Sequence, residues 1–382
     1  MNFYFTRKSD LLKVTLVIFL FCVVLSFNLF CSSESNDNKD VSNGTDAILQ
    51  DTNSADASVA DVGDDTNLID KFYAVSFSDN NSIAFYEREK GSSNPFYTIK
   101  TEGEVSSLEF VPDKNTIIYS DLNSKNIVFV EGVKEIKRIQ SPATKPISIK
   151  YIQKINMLII PDKDSNRIHI FDLNSMEFSS LSPMTAGGNN PVSICFDDSP
   201  LTQGLLLRLL ILNYGSLNVR AYDIFDRETW GFRSEQLPTL SEPLSIVCDS
   251  QNRRLLIMNS ASNNISAYGL DDLVQIAKSP FEAGKNPTFA AIHRSASLAY
   301  VANTSDDSMT IFSTKEMKAV GGISFKTGDL PHRIYVNESE SRLYVVLRGS
   351  RKMVVYDIQD PLSPEKLNEI TFENTPNEMI YR

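Results

Sequence analysis

Beyond residue 70 the chain alternates short apolar runs with polar breaks at a steady interval. The stretch 286–325, NPTFAAIHRSASLAYVANTSDDSMTIFSTKEMKAVGGISF, holds one full period. Pro287 opens an apolar run that reaches Ile292, and a turn follows at 293–297. A second run spans 298–302, a third resumes at Met309, and 318–325 supply a fourth. Runs rich in Val, Ile, Tyr and Phe between Asn, Asp, Ser and Gly clusters predict strands. Four strands in about forty residues predict one blade of a β-propeller.

The clearest marker of the period is a proline that opens a strand with an apolar residue three positions on. Pro146, Pro191, Pro243, Pro287, Pro331 and Pro376 all fit, and Val105 takes the same place without the proline; successive spacings are 41, 45, 52, 44, 44 and 45 residues. Proline suits a strand's first residue, where no ladder donor is lost. Second strands are expected at 72–77, 116–120, 157–161, 209–213, 255–259, 298–303 and 342–347. Third strands are expected at 82–86, 126–130, 167–171, 217–222, 264–268, 308–312 and 352–356. The series opens on a second strand at Phe72 and ends on an isolated first strand, 376–382. The fold class is therefore all-β: a seven-bladed β-propeller at 70–382, its ring closed by the C-terminal strand joining the first blade, which removes an exposed sheet edge.

Tyr300, Val301, Ala302 and Asn303, followed by 308–312 and by Gly328 to Pro331, resemble the YVTN-type repeat of seven-bladed propellers. That superfamily also includes lactonase-like enzymes and NHL-like binding modules. The resemblance covers roughly 70–382 and implies the fold. Blades vary: 255–259 keeps the Asn, 342–347 loses it, and the fourth blade is the longest, with additions at 197–204 and 225–232. The second addition holds the only Trp, Trp230, expected as a plug over the blade edge, with a partner anchor as the alternative.

The N-terminus breaks the pattern. Arg7, Lys8 and Lys13 precede a nearly unbroken apolar run, 14–30, that ends at Cys31. An apolar run closed by Cys and followed by Ser32, Ser33 and Glu34 resembles a bacterial lipoprotein signal, although Phe30 stands where a small residue is usual. The resemblance implies a signal at 1–31, acylation of Cys31 and a membrane held through an N-terminal lipid. An uncleaved membrane anchor is the alternative. Residues 32–69 carry nine acids against Lys39 in a Ser, Asn, Asp and Thr-rich setting, so a disordered acidic linker is expected. Either reading places the domain outside the cytoplasm, in the cell envelope, facing the periplasm or the cell surface.

A net charge of −11 argues against a nucleic-acid partner, which calls for a basic face. No cofactor and no metal site is expected: His169, His293 and His332 occupy different blade positions without ligand spacing. Cys195 and Cys248 stand four and five residues after their prolines, on alternating faces, so free buried thiols are expected. No nucleophile elbow, phosphate loop or zinc-protease motif appears. The ligand-binding candidates His332, Arg333, Arg348 and Glu378 gather where blades seven and one meet, with Lys352 and Asn377 on the same side. In blades two to five the position two after the strand start is small, at Ser107, Ser148, Ser193 and Ser245; here it is Arg333 and Glu378. A clasp that locks the ring is the favoured reading of that pair. The other reading is a polar pocket in which Arg333 binds an anion while Glu378 and His332 act as acid and base. No catalytic residue is assigned. The expected role is a lipid-anchored, extracytoplasmic binding scaffold for a protein or glycan partner, with a lactonase-like hydrolase acting at the channel mouth as the alternative.

Overall fold

Apolar runs of six or seven residues are too short to bury themselves and pair instead into seven antiparallel sheets. The computed structural model describes residues 71–88 and 93–382. The expected signal at 1–31 with Cys31, and the linker at 32–69, lie outside them. The strands Val105–Val111, Lys150–Ile152, Pro191–Asp197, Pro243–Asp249, Pro287–His293, Pro331–Asn337 and Pro376–Tyr381 are the inner strands of the seven blades and line a central channel. Second and third strands follow outward in each blade, and the predicted positions hold to within two residues.

The C-terminal strand Pro376–Tyr381 pairs with Phe72–Phe77 as the inner strand of blade one. Phe72 N donates to Arg382 O (3.2 Å) and Arg382 N to Phe72 O (2.9 Å). The core is divided into seven apolar layers, each between neighbouring blades. A ring therefore has no weakest edge once the last strand is seated.

Two features depart from the sequence reading. The inner strand of blade three begins only at Lys150, and Pro146 makes an isolated bridge to Asp162. Serines of blade two contact this segment: Ser106 Oγ donates to Pro146 O (2.7 Å) and Ser107 Oγ to Ile149 O (3.3 Å). Cys195 and Cys248 are not free thiols but a disulfide. Their offsets do put them on opposite faces of their strands. Those strands, however, belong to adjacent blades stacked face to face, so opposite faces are the ones that meet, with Cα atoms 5.7 Å apart. Trp230 forms part of a short outer strand, Trp230–Phe232, and packs half-buried against the layer between blades three and four.

The repeat's terminal Asn has a visible task. Asn213, Asn259 and Asn303 close their second strands and are fully buried. Asn259 Oδ1 accepts from Leu240 N (3.1 Å) in the loop before the blade's inner strand, while its Nδ2 donates to Ser266 Oγ (2.8 Å) on the third strand. Asp121 and Asp162 hold the corresponding loop in blades two and three, accepting from Gly103 N (2.7 Å) and Thr144 N (2.8 Å). The Asn259 side chain thus links its own strand, the preceding loop and the third strand at the face where the inner strands begin.

Candidate functional site

A register shift follows the first residue of the inner strands, between Val105 and Ser107, Pro191 and Ser193, Pro243 and Ser245, Pro287 and Phe289, and Pro331 and Arg333. Such bulges re-aim side chains. Here they turn the position two after the strand start into the channel, where Ser107, Ser148, Ser193, Ser245, Phe289, Arg333 and Glu378 form a ring.

Arg333 and Glu378 are brought together as expected. Nη2 and Nε of Arg333 lie 2.7 and 2.8 Å from Glu378 Oε1, and the guanidinium sits 4.9 Å from the centre of the Phe289 ring. Burial opposes the charge on Arg333, yet the carboxylate of Glu378 holds its pKa above the ordinary value. Tyr335 OH donates to Glu378 Oε2 (3.0 Å) and accepts from Met379 N (3.0 Å). Its phenol is pushed well up by burial and by the adjacent carboxylate.

The other expected members go elsewhere. His332 Nε2 is buried without a hydrogen-bond partner, and burial, with the charges of Arg333 and Arg348, lowers its pKa to about 2. It is neutral at physiological pH, and no hydrogen bond among the described residues joins it to Glu378. Asn377 Nδ2 donates to Val105 O (3.0 Å), sealing blade one to blade two. Arg348 Nη2 reaches Ser78 Oγ (3.4 Å), and Lys352 pairs with Glu369 (2.9 Å) on an outer strand. The acid and base pair expected of Glu378 and His332 is therefore not assembled.

Two channel residues escaped the sequence reading: Glu109 and Lys150, whose Oε1 and Nζ lie 2.6 Å apart. Burial raises the Glu109 pKa, Lys150 opposes this, and the charge of Glu378 adds to it. Both occupy the position four after the strand start, as does Tyr335. The signal was available, since charged side chains in the middle of two neighbouring inner strands have only the channel to enter. Four charges therefore share the channel, two of each sign.

His169 lies between Ser182 Oγ (3.5 Å) and Asp162 Oδ2 (3.6 Å), an array that invites comparison with a hydrolytic triad. The repeat explains it otherwise. Ser182 Oγ accepts from Ile170 N (3.2 Å) as Ser279 Oγ accepts from Ala267 N (2.9 Å) in blade five, where Ser266 stands in place of His169. The serine closes an outer turn.

The class this architecture defines is a seven-bladed β-propeller with a charge-balanced channel. No family model matches the chain, and no curated protein does. Among solved structures, a putative 6-phosphogluconolactonase from Bacteroides uniformis is similar with a TM-score of 0.66 at 12% identity, over 82% of this chain and 100% of that one. The periplasmic gluconolactonase of Pseudomonas aeruginosa is similar with a TM-score of 0.63 at 14% identity, over 81% and 98%. A functionally unknown protein from Desulfotomaculum acetoxidans is similar with a TM-score of 0.65 at 13% identity, over 81% and 98%. At these identities the likeness is one of fold.

Proposed function

We propose that the protein is an envelope-tethered binding propeller that captures a protein or glycan partner on the face where its inner strands begin. The observation that carries this reading is the pair Leu217 and Leu330. Both are exposed on that face (43% and 39%) and both hold left-handed backbone, φ 51° each. At the matching positions, blades four and six use Asn190 and Asn286 before the inner strand, and blades one, three and five use Asn81, Asn166 and Asn263 before the third. A branched apolar residue in that conformation is strained, and here burial does not offset the strain. Leu240 and Leu244, exposed at 39% and 37%, extend the apolar character of the rim, which favours a protein partner over a glycan. Tethering rests on acylation of Cys31, and the Cys195–Cys248 disulfide agrees with an oxidising compartment.

The channel mouth supports binding over chemistry. Each of its carboxylates is already engaged by a cation, and the cavity there is about 120 Å³, below the ~300 Å³ at which small-molecule sites begin. A photo-cross-linking residue placed at Leu240 or Leu330 in cells is expected to form a discrete adduct, whereas one at Leu201 or Val274, on the opposite face, is not. Equal labelling of both faces, or none, would reject the reading. Acylation is tested by mass spectrometry of the N-terminal peptide from cells, with Cys31→Ala as the control.

The hydrolase reading is favoured by one observation, the convergence of Lys150, Arg333, Tyr335 and Glu378 at the channel mouth with Glu109 paired to Lys150 and its carboxyl pKa raised. Aldonolactone hydrolysis followed by pH-stat, abolished in both Glu109→Gln and Glu378→Gln, would replace the first reading with this one.

A further inference from the structure

Below the charged ring the channel widens toward the face opposite the strand starts. Side-chain size produces the widening. At the position four after the strand start, blades two, three and seven present the long Glu109, Lys150 and Tyr335, whereas blades four, five and six present Cys195, Val247 and Ala291. Three small neighbours in succession leave a cavity of about 330 Å³ on their side of the channel, walled also by Phe289 and Ile334. The disulfide lies in this wall and links the inner strands of blades four and five, so the wall is braced.

The polar side chains facing the cavity are Ser193, Ser245, Lys150, Arg294 and Tyr335. Ser193 Oγ accepts from Ile246 N (3.3 Å). Arg294, at its outer end, is engaged by Asp198 (2.8 Å). Tyr335 OH both donates and accepts within the charged ring. Lys150 differs: its ammonium has three donors, Glu109 takes one, and its side chain keeps 45% exposure although it lies inside the ring. Arg333 and Lys150 are balanced by Glu109 and Glu378, so an added anion would leave an uncompensated negative charge in the channel.

From this we infer that the lower channel is a binding site for a compact, uncharged apolar molecule, about the size of two fused rings, carrying one carbonyl or hydroxyl acceptor directed at Lys150. The volume lies at the small end of ligand sites, and an apolar wall with a few placed polar groups is their usual composition. This site is separate from the rim and stands whether or not the rim captures a partner.

The test uses the purified full chain with three probes, 2-acetylnaphthalene, 2-ethylnaphthalene and 2-naphthoate, followed by ligand-observed NMR titration. Ala291→Trp and Val247→Phe in the same preparation supply the background from non-specific partition. Far-UV circular dichroism and the thermal midpoint establish that each variant is folded, and Val247→Phe serves if Ala291→Trp is not. Saturable binding of the ketone is expected, at least tenfold weaker in the folded blocking variants and stronger than that of the ethyl analogue. The paired variant Lys150→Met/Glu109→Gln is expected to erase the preference for ketone over hydrocarbon. Absence of saturable binding, equal binding in a blocking variant, a preference unchanged in the paired variant, or tighter binding of naphthoate would each overturn the assignment.

Discussion

Left-handed backbone recurs before every third strand, at Asn81, Lys125, Asn166, Leu217, Asn263, Asp307 and Arg351. Asn and Asp tolerate that region because their short polar side chains bond locally, which is why these breaks are rich in them. Leu217→Asn and Leu330→Asn are each predicted to raise stability by about 1 kcal/mol, read as a higher thermal midpoint, while partner cross-linking at the rim declines. A lowered midpoint would show instead that the leucines are held by packing. His332 gives a second prediction at this scale. Its folded pKa of about 2 lies below the unfolded value of 6.5, so below pH 6.5 the unfolded chain takes up a proton that the folded chain refuses. Stability contributed this way is full above pH 6.5 and is lost as pH falls, at up to ~1.4 kcal/mol per pH unit. Chemical denaturation at pH 7, 6, 5 and 4 should show the wild type losing ground to His332→Gln, and parallel curves would mean that water reaches the ring in the folded state.

At the level of single elements, the buried Asn at the end of the second strand acts as a clamp. Removing it leaves a loop N–H and a third-strand hydroxyl without partners, so Asn259→Ala is predicted to cost about 1–3 kcal/mol in urea unfolding. Blade seven has Leu347 at that position and closes by other means: Arg348 reaches Ser78 across the junction, and Arg333 reaches Glu378 on the last strand. The clasp reading of Arg333 and Glu378 makes its own prediction. Because both charges are partly buried, the single variants Arg333→Met and Glu378→Gln should each destabilise more than the pair together, and a double-mutant cycle should return a coupling of about 1–3 kcal/mol. Additive effects would mean that the pair contributes nothing to closure.

For the whole molecule, the disulfide spans a sequence separation of 53 residues. Cross-linking a loop of that length restricts the unfolded chain, and reduction, or Cys195→Ala with Cys248→Ala, is predicted to lower stability by roughly 2–4 kcal/mol, read by denaturation with and without a thiol reductant. Strand positions, blade number and ring closure were legible in the sequence because each rests on local information. Period-two apolar runs, prolines at strand starts and Asn-rich turns depend on backbone sterics and on which side chains avoid water, and these act within a few residues. Arg333 and Glu378 were legible for the same reason, as the only charged exceptions at a position otherwise small or apolar. What tertiary structure alone decided were contacts between blades. Alternation within one strand says which way Cys195 and Cys248 point, but not that adjacent sheets stack so that opposite faces touch. Glu109 and Lys150 lie 41 residues apart in the chain and 2.6 Å apart in space. The lower cavity exists because three small side chains fall on consecutive blades, a coincidence of packing around a ring that no single repeat contains.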